Sequence, residues 1–225
     1  MLHDIYSYLM PRNCACCHAG LRQHEQYICV PCLKELPHTN YHTFAENPLY
    51  QRLYNLTGVQ LATAMLHFNK DTIVQELLHG IKYHDREEAG YWLGTWYGKH
   101  LRENNIVFDA LIAVPMHPIK QLERGYNQSE IFALGLASTL QIPVLNNVLI
   151  KTSLTNSQTK KTKEERYLNL LDGFALQNEH LIANKHIALI DDVITTGATV
   201  EACCNVLNNV HNVQLSVVAI AVAEY

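Results

Sequence analysis

The chain has 225 residues, 48% of them hydrophobic and 17% charged, enough for one full α/β domain plus a small appendage. A formal net charge of −4 excludes the whole-chain basic footprint of a nucleic-acid binder, so any such interaction has to rest on local patches. No run approaches the roughly 18–20 apolar residues of a membrane helix, and no basic amino-terminal region precedes an apolar stretch, which predicts a cytoplasmic protein without membrane insertion.

Asp4 to Met10 reads as a short helix ending before Pro11. Two knuckle-like pairs follow, Cys14-x2-Cys17 and Cys29-x2-Cys32, separated by residues 18–28. Each pair presents two thiolates from a tight turn, and four thiolates suit a closed, structural, tetrahedral zinc ion. The segment has little apolar material of its own, so the metal would drive its folding. Cys16 is a spare cysteine that the spacing disfavours, and His18 and His24 are substitute ligands. The module ends near Pro37.

Tyr41 to Tyr54 is aromatic and polar and reads as a linker, with Pro48 breaking any helix. Val59 to Phe68 is strand or hairpin material. Ile73, Leu77, Leu78 and Ile81 repeat at helical spacing, predicting a helix from Asp71 to Tyr83 with Asp71 as its cap. Tyr91 to Glu103 is a second helix and Asp109 to Val114 a buried strand. Ser129 to Leu140 is a helix with Ile131, Leu134, Ala137 and Leu140 inward. Ile142 to Ile150 is a strand candidate interrupted by Pro143 and an Asn146-Asn147 turn. Val213 to Ala223 is a strand alternating enough to sit at a sheet edge. Strands alternating with helices give a mostly parallel sheet with helices on both faces, whose ligands bind beyond the carboxyl ends of the strands.

The chemistry concentrates in Ile187 to Thr199, IALIDDVITTGAT. Ile187 to Ile190 form a buried strand, and Asp191 and Asp192 sit at its carboxyl end. The small, hydroxyl-rich Thr195, Thr196, Gly197, Ala198 and Thr199 then lead into a helix with Val200, Cys203, Cys204 and Leu207 on one face. A phosphate there meets backbone N–H groups at a helix start, with threonine hydroxyls beside it and no side chain on Gly197 in the way. The acids repel phosphate but suit a neighbouring sugar diol or its hydrated metal ion. Diol and phosphate side by side describe a 5-phosphorylated ribose. This run resembles the phosphoribosyl pyrophosphate (PRPP) signature of type I phosphoribosyltransferases.

A second loop follows the strand ending at Val114: Pro115-Met116-His117-Pro118, then Lys120 to Gln128. Arg124 can clamp a phosphate bidentately, Gly125 permits a sharp turn, and Asn127 or Ser129 can cap the next helix. His117 is either a ligand contact or a loop residue with a local hydrogen bond. Four-cysteine module, RGYNQ loop and carboxyl-terminal signature together resemble the ComF (ComFC, GntX-like) competence family over nearly the whole chain. Lys82-Tyr83 and the stretch from Thr155 to Phe174, with Gln158, Arg166, Asn169 and Gly173-Phe174, add to the likeness. Members commonly carry several Lys or Arg before the RGYNQ-type loop, where this chain has Ile119, Lys120, Gln121, Leu122 and Glu123.

The resemblance implies a zinc-binding module at 1–40 and a phosphoribosyltransferase-like domain at 41–225, with a hood loop at about 152–174. Lys160, Lys161 and Lys163 with Arg166 make the most basic local patch. In a transferase such a hood closes over PRPP and excludes water, whereas in a DNA-handling protein the same lysines track a phosphate backbone. Also implied are Asp191, Asp192 and Arg124 as catalytic groups and Lys82, Lys120, Arg124, Lys160 and Lys161 as pyrophosphate or polyanion contacts. The expected cofactors are structural Zn2+ and Mg2+ with PRPP. The expected role is uptake of transforming single-stranded DNA beside competence helicase or translocase proteins, or phosphoribosyl transfer to a nitrogenous acceptor.

Overall fold

Runs of valine, isoleucine and alanine become four strands: β1 (Leu61–Phe68), β2 (Ala110–Ala113), β5 (His186–Ile194) and β6 (Gln214–Ala223). They form an all-parallel sheet in the order β1-β6-β5-β2. The structure, a computed structural model, describes residues 12–70, 72–83, 87–152 and 173–223. The expected helix at Asp4 to Met10 and the cap Asp71 lie outside them.

Alternate side chains of each strand enter two cores, as parallel sheets covered on both sides require. Met65, Ala188, Ile190 and Val218 face a core that includes helices α3 (Ile73–Tyr83), α4 (Glu87–Glu103) and α6 (Gln128–Leu140). Ala62, Leu189, Val217 and Ala219 face another built with α2 (Pro48–Thr57) and α7 (Ala198–Leu207). The cysteine module, including the short helix α1 (Val30–Glu35), contributes Ile28 and Leu36 to the first core. No described helix is long and apolar enough to cross a membrane.

Four expectations need correction. Tyr41 to Tyr54 is not a linker: a 3-10 turn at Tyr41–Thr43 precedes α2, which Pro48 starts rather than breaks. Proline is preorganised for the first helical position, and Asn47 caps it by accepting the Tyr50 N–H at 2.9 Å. β6 is interior rather than an edge, because Leu215 to Val222 is buried without interruption and pairs with strands on both sides. Its one buried hydroxyl, Ser216, bonds His186 Nε2 at 2.8 Å.

On α6 the most buried apolar side chains are Phe132, Ala133 and Leu136, while Leu134 is 40% exposed. Close approach of α4 sets that rotation: a Cβ at Gly135 would stand 2.1 Å from the Tyr91 carbonyl oxygen, and one at Gly94 2.3 Å from that of Phe132. Finally, Ile142 to Ile150 yields only β3 (Leu149–Lys151), antiparallel to β4 (Phe174–Leu176). Upstream of it, Val144 makes a single parallel bridge to Leu111 of β2. At the far side of the sheet, Thr39 donates its N–H to the Met65 carbonyl at 3.1 Å and His67 donates to that of Pro37 at 2.8 Å.

Candidate functional site

Backbone bonds from Cys14 to Ala19 and from His18 to Cys14 close the first knuckle, with His18 at φ 60° in the left-handed region. The second is set by α1, which places Cys29 just before the helix and Cys32 in its first turn. The buried Glu25 carboxylate ties them together, accepting the N–H groups of Arg22 at 2.7 Å and Val30 at 2.8 Å. Those bonds hold its carboxyl below the ordinary range.

The four Sγ atoms of Cys14, Cys17, Cys29 and Cys32 all lie within 4.8 Å of one another, with Cys17 and Cys29 at 3.7 Å. Four thiolates at about 2.3 Å from one tetrahedral ion stand about 3.8 Å apart. Burial pushes the Cys14 thiol up, but N–H groups of Cys29, Cys17 and Cys16 more than offset this and bring it to about 6. Burial and the neighbouring sulfurs push Cys32 the other way. Sulfurs this close repel one another as thiolates unless a cation stands between them. Cys16 is buried outside the cluster, as the spacing predicts, and His18 faces Glu76 at 3.5 Å.

The second constellation gathers where β5 ends. β5 runs through both acids to Ile194, with Asp191 paired against Ala219 of β6. Asp191 is 8% exposed; it accepts the Ser129 hydroxyl at 3.3 Å and the Asp192 N–H at 2.9 Å. Burial first, then the charge of Asp192, push its carboxyl up to about 8. Asp192 reaches across to Lys82 on α3, Oδ2 to Nζ 2.8 Å. Two adjacent carboxyl groups with the Lys82 ammonium beside them fit a site that takes further positive charge.

The turn after β5 places Gly197 at φ 87° as the residue before α7. A Cβ there would stand 2.8 Å from Leu53 Cδ2, and the positive φ itself disfavours any larger residue. Thr195 and Thr196 are exposed, and Thr196 Oγ1 accepts the Ala198 N–H at 3.3 Å. Thr199 is half-buried in the first helical turn. Val200, Cys203, Cys204 and Leu207 are buried, as the periodicity requires. Lys82, Asp192 and Thr195 line one open cleft of about 390 Å³, with Phe68, Leu78 and Val193 as its apolar wall.

The second loop is partly helical: α5 (Pro118–Arg124) occupies part of the stretch read as a loop after Val114. His117 caps it, its Nδ1 accepting the Ile119 N–H at 3.2 Å, so the local hydrogen bond is the reading the structure supports. Asn127 caps α6 and donates to the Val114 carbonyl at 2.9 Å, fastening the loop to the end of β2. The Tyr126 hydroxyl donates to the Ile81 carbonyl, fastening it to α3. Arg124 Nη1 donates to Gln128 Oε1 at 3.1 Å, and Lys120 stands exposed on α5. Ser129 joins this loop to Asp191. Lys160, Lys161, Lys163, Arg166, Gln158 and Asn169 lie outside the described residues.

One cation escaped the sequence reading. Lys151 closes β3, and its Nζ lies 4.9 Å from the centroid of the Phe174 ring on β4. Burial lowers its pKa, the Lys120 ammonium lowers it further, and the Asp191 carboxylate acts the other way. The sole signal in the sequence is a lysine closing the apolar Leu149-Ile150 pair just before a polar stretch.

No family model matches the sequence. Over 100 residues, 44% of this chain and 44% of the relative, it is 35% identical to competence protein F of Haemophilus influenzae. Over 99 residues, 44% of this chain and 43% of the relative, it is 30% identical to DNA utilization protein YhgH of Escherichia coli O157:H7. The match thus spans less than half the length of these relatives. Among solved structures, it aligns with glutamine PRPP amidotransferase from B. subtilis complexed with ADP and GMP, at TM-score 0.44 and 17% identity, over 64% of this chain and 30% of that one. It also aligns with a hypoxanthine phosphoribosyltransferase from Staphylococcus aureus, at TM-score 0.37 and 16% identity, over 59% and 62%. Over the matched 44% of its length, this chain is a sequence relative of competence protein F and the YhgH proteins.

Proposed function

We propose that the protein binds PRPP at the acid pair and threonine turn and acts in competence, in the uptake of transforming single-stranded DNA. The observation that carries the ligand assignment is the juxtaposition of Asp192, Lys82 and Thr195 in one cleft at the end of β5, where the chain turns through Gly197 into α7. In this reading Thr195 to Thr199 take the 5-phosphate and the two acids face the ribose diol. Lys82, Lys120 and Arg124 face the pyrophosphate, with Lys160 and Lys161 as further polyanion contacts. Asp191 and Asp192, near the diol, would hold a magnesium ion, which would supply charge neutralisation for the pyrophosphate. Cys14, Cys17, Cys29 and Cys32 hold a structural zinc. Residues 1–40 form the zinc module and 41–225 the ligand domain, in a cytoplasmic protein that works beside a DNA helicase or translocase.

The relatives are a competence protein and a DNA utilization protein by name, and this supports the cellular half of the proposal. The intact acid pair and turn support a second reading, an active phosphoribosyltransferase. There pyrophosphate leaves ribose C1 through an oxocarbenium-like transition state, and the positive side chains offset charge building on the leaving group. A nitrogenous acceptor then takes C1.

Calorimetry with PRPP and magnesium tests the ligand, and absence of binding at millimolar concentration refutes it. Role is tested by transformation of the source organism with two variants, Lys160, Lys161 and Lys163 to Gln, and Asp191 and Asp192 to Asn. Loss in the lysine variant alone means a DNA module with a vestigial sugar-phosphate site, and loss in both makes ligand binding part of uptake. Normal transformation in both, with pyrophosphate released from PRPP in a screen of nucleobases, replaces the competence role by the transferase.

A further inference from the structure

A second cleft, of about 730 Å³, opens where the cysteine module meets α4 and α6, and shares no lining residue with the cleft at the acid pair. Its chemistry is different in kind. Tyr27 of the module and Trp92 of α4 stand with ring centroids 6.2 Å apart, and Trp92 continues into Trp96 one helical turn on, at 5.4 Å. Tyr91 adds a ring that is 41% exposed, and Ile131 of α6 an aliphatic wall.

Glu87 and Glu88 stand on the lining at the start of α4, both exposed, and neither carboxylate forms an ion pair or hydrogen bond among the described residues. Arg12 lines the cleft as well, giving two carboxylates against one guanidinium. The acid field reaches the rings: burial and then Glu88 hold the Tyr27 phenol above its ordinary range, with Arg12 acting against them.

Aromatic faces carry the negative part of the ring quadrupole and attract cations, most strongly for Trp. The Glu87 and Glu88 carboxylates beside them add to that attraction and repel a phosphate backbone. A single strand of DNA would find rings to stack on here, but with the wrong sign of charge around them. We propose that this cleft docks a protein partner, through a short segment carrying an arginine or lysine next to an aliphatic residue. The cation sits over Trp92 and Tyr91 within reach of Glu87 and Glu88, and the aliphatic side chain packs on Ile131. Because Tyr27 belongs to the cysteine module, the metal site becomes a condition for partner binding rather than for ligand binding. This surface stands apart from the sugar-phosphate reading and survives its failure.

Trp92 supplies the test. The chain has two tryptophans, so Trp96→Phe leaves Trp92 as the sole reporter in the full-length protein. Its emission is followed during titration with the peptide acetyl-Gly-Arg-Leu-Gly-amide, with the same peptide carrying Glu in place of Arg, and with an oligothymidylate of about ten nucleotides. The arginine peptide should give a saturable change, and the other two none. Glu87→Gln with Glu88→Gln should weaken that binding about fivefold at low salt with an unchanged circular dichroism spectrum. No response to the arginine peptide overturns the proposal, and so does an equal response to the glutamate peptide or the oligonucleotide. Unchanged affinity in the Gln variant overturns it too. An emission change with protein concentration alone overturns it by making a second copy of the chain the occupant.

Discussion

Asp191→Asn isolates the buried acid. Asn keeps the shape and an oxygen to accept the Ser129 hydroxyl and the Asp192 N–H, and removes the ionisation. In the folded protein the Asp191 carboxyl is raised from 3.8 to about 8. Between those values the folded state keeps a proton that the unfolded chain has lost, so this residue's contribution to stability falls as pH rises through the window. The slope is at most about 1.4 kcal/mol per pH unit, or about 2.7 kcal/mol between pH 5 and 7. Coupling to Asp192 and Lys82 reduces it, and about 1–2 kcal/mol is expected across that interval. Urea unfolding of both proteins at pH 5, 6 and 7, without magnesium or ligand, gives the measurement, because titration of the histidines cancels in the difference. The Asn variant should gain on the parent as pH rises. Curves that stay parallel within about 0.5 kcal/mol would show that Asp191 ionises normally and that the acid pair is not tuned by burial.

Cys32→Ser should abolish metal binding, measured by atomic absorption as about one zinc per chain in the parent, and should lower solubility, whereas Cys16→Ser should retain the metal. Thr196→Val should weaken PRPP binding in calorimetry by about 1–2 kcal/mol, through loss of a hydroxyl that now faces solvent and the Ala198 N–H. Lys151→Gln should reduce PRPP affinity about tenfold if its ammonium serves the ligand, and unchanged affinity would mark it as a cation that only packs on Phe174. Each is checked against circular dichroism, so that loss of ligand is told apart from loss of fold.

Both candidate sites were legible because their chemistry is contiguous. Thirteen residues from Ile187 to Thr199 carry strand, acids, turn and helix start, and a two-residue spacing makes each thiol pair. What escaped depends on partners far along the chain. Nothing local makes β6 central, since that follows from pairing with β1 and β5. Lys151 acquires meaning from Phe174 and Asp191, and Ser129 from an acid 62 residues away. Leu134 looked inward by spacing alone, yet the contact between Gly94 and Gly135 turns α6 so that Phe132 and Leu136 take that place. Pro48 starts a helix for a different reason: the same missing N–H that stops a helix from inside is harmless at its first position.

The bonds from Pro37 and Thr39 to β1, and the bridge from Val144 to β2, have a consequence for assembly. They occupy hydrogen-bonding groups on the two outermost strands of the parallel sheet, which would otherwise be a template for another chain. Recruitment of a partner by strand addition, a common way to hold an extended peptide through its main chain, is therefore obstructed at both margins. Displacing residues 37–39 would also pull on the end of the cysteine module. Recognition at the margins of this four-stranded sheet then rests on side chains, so single substitutions can separate one association from another.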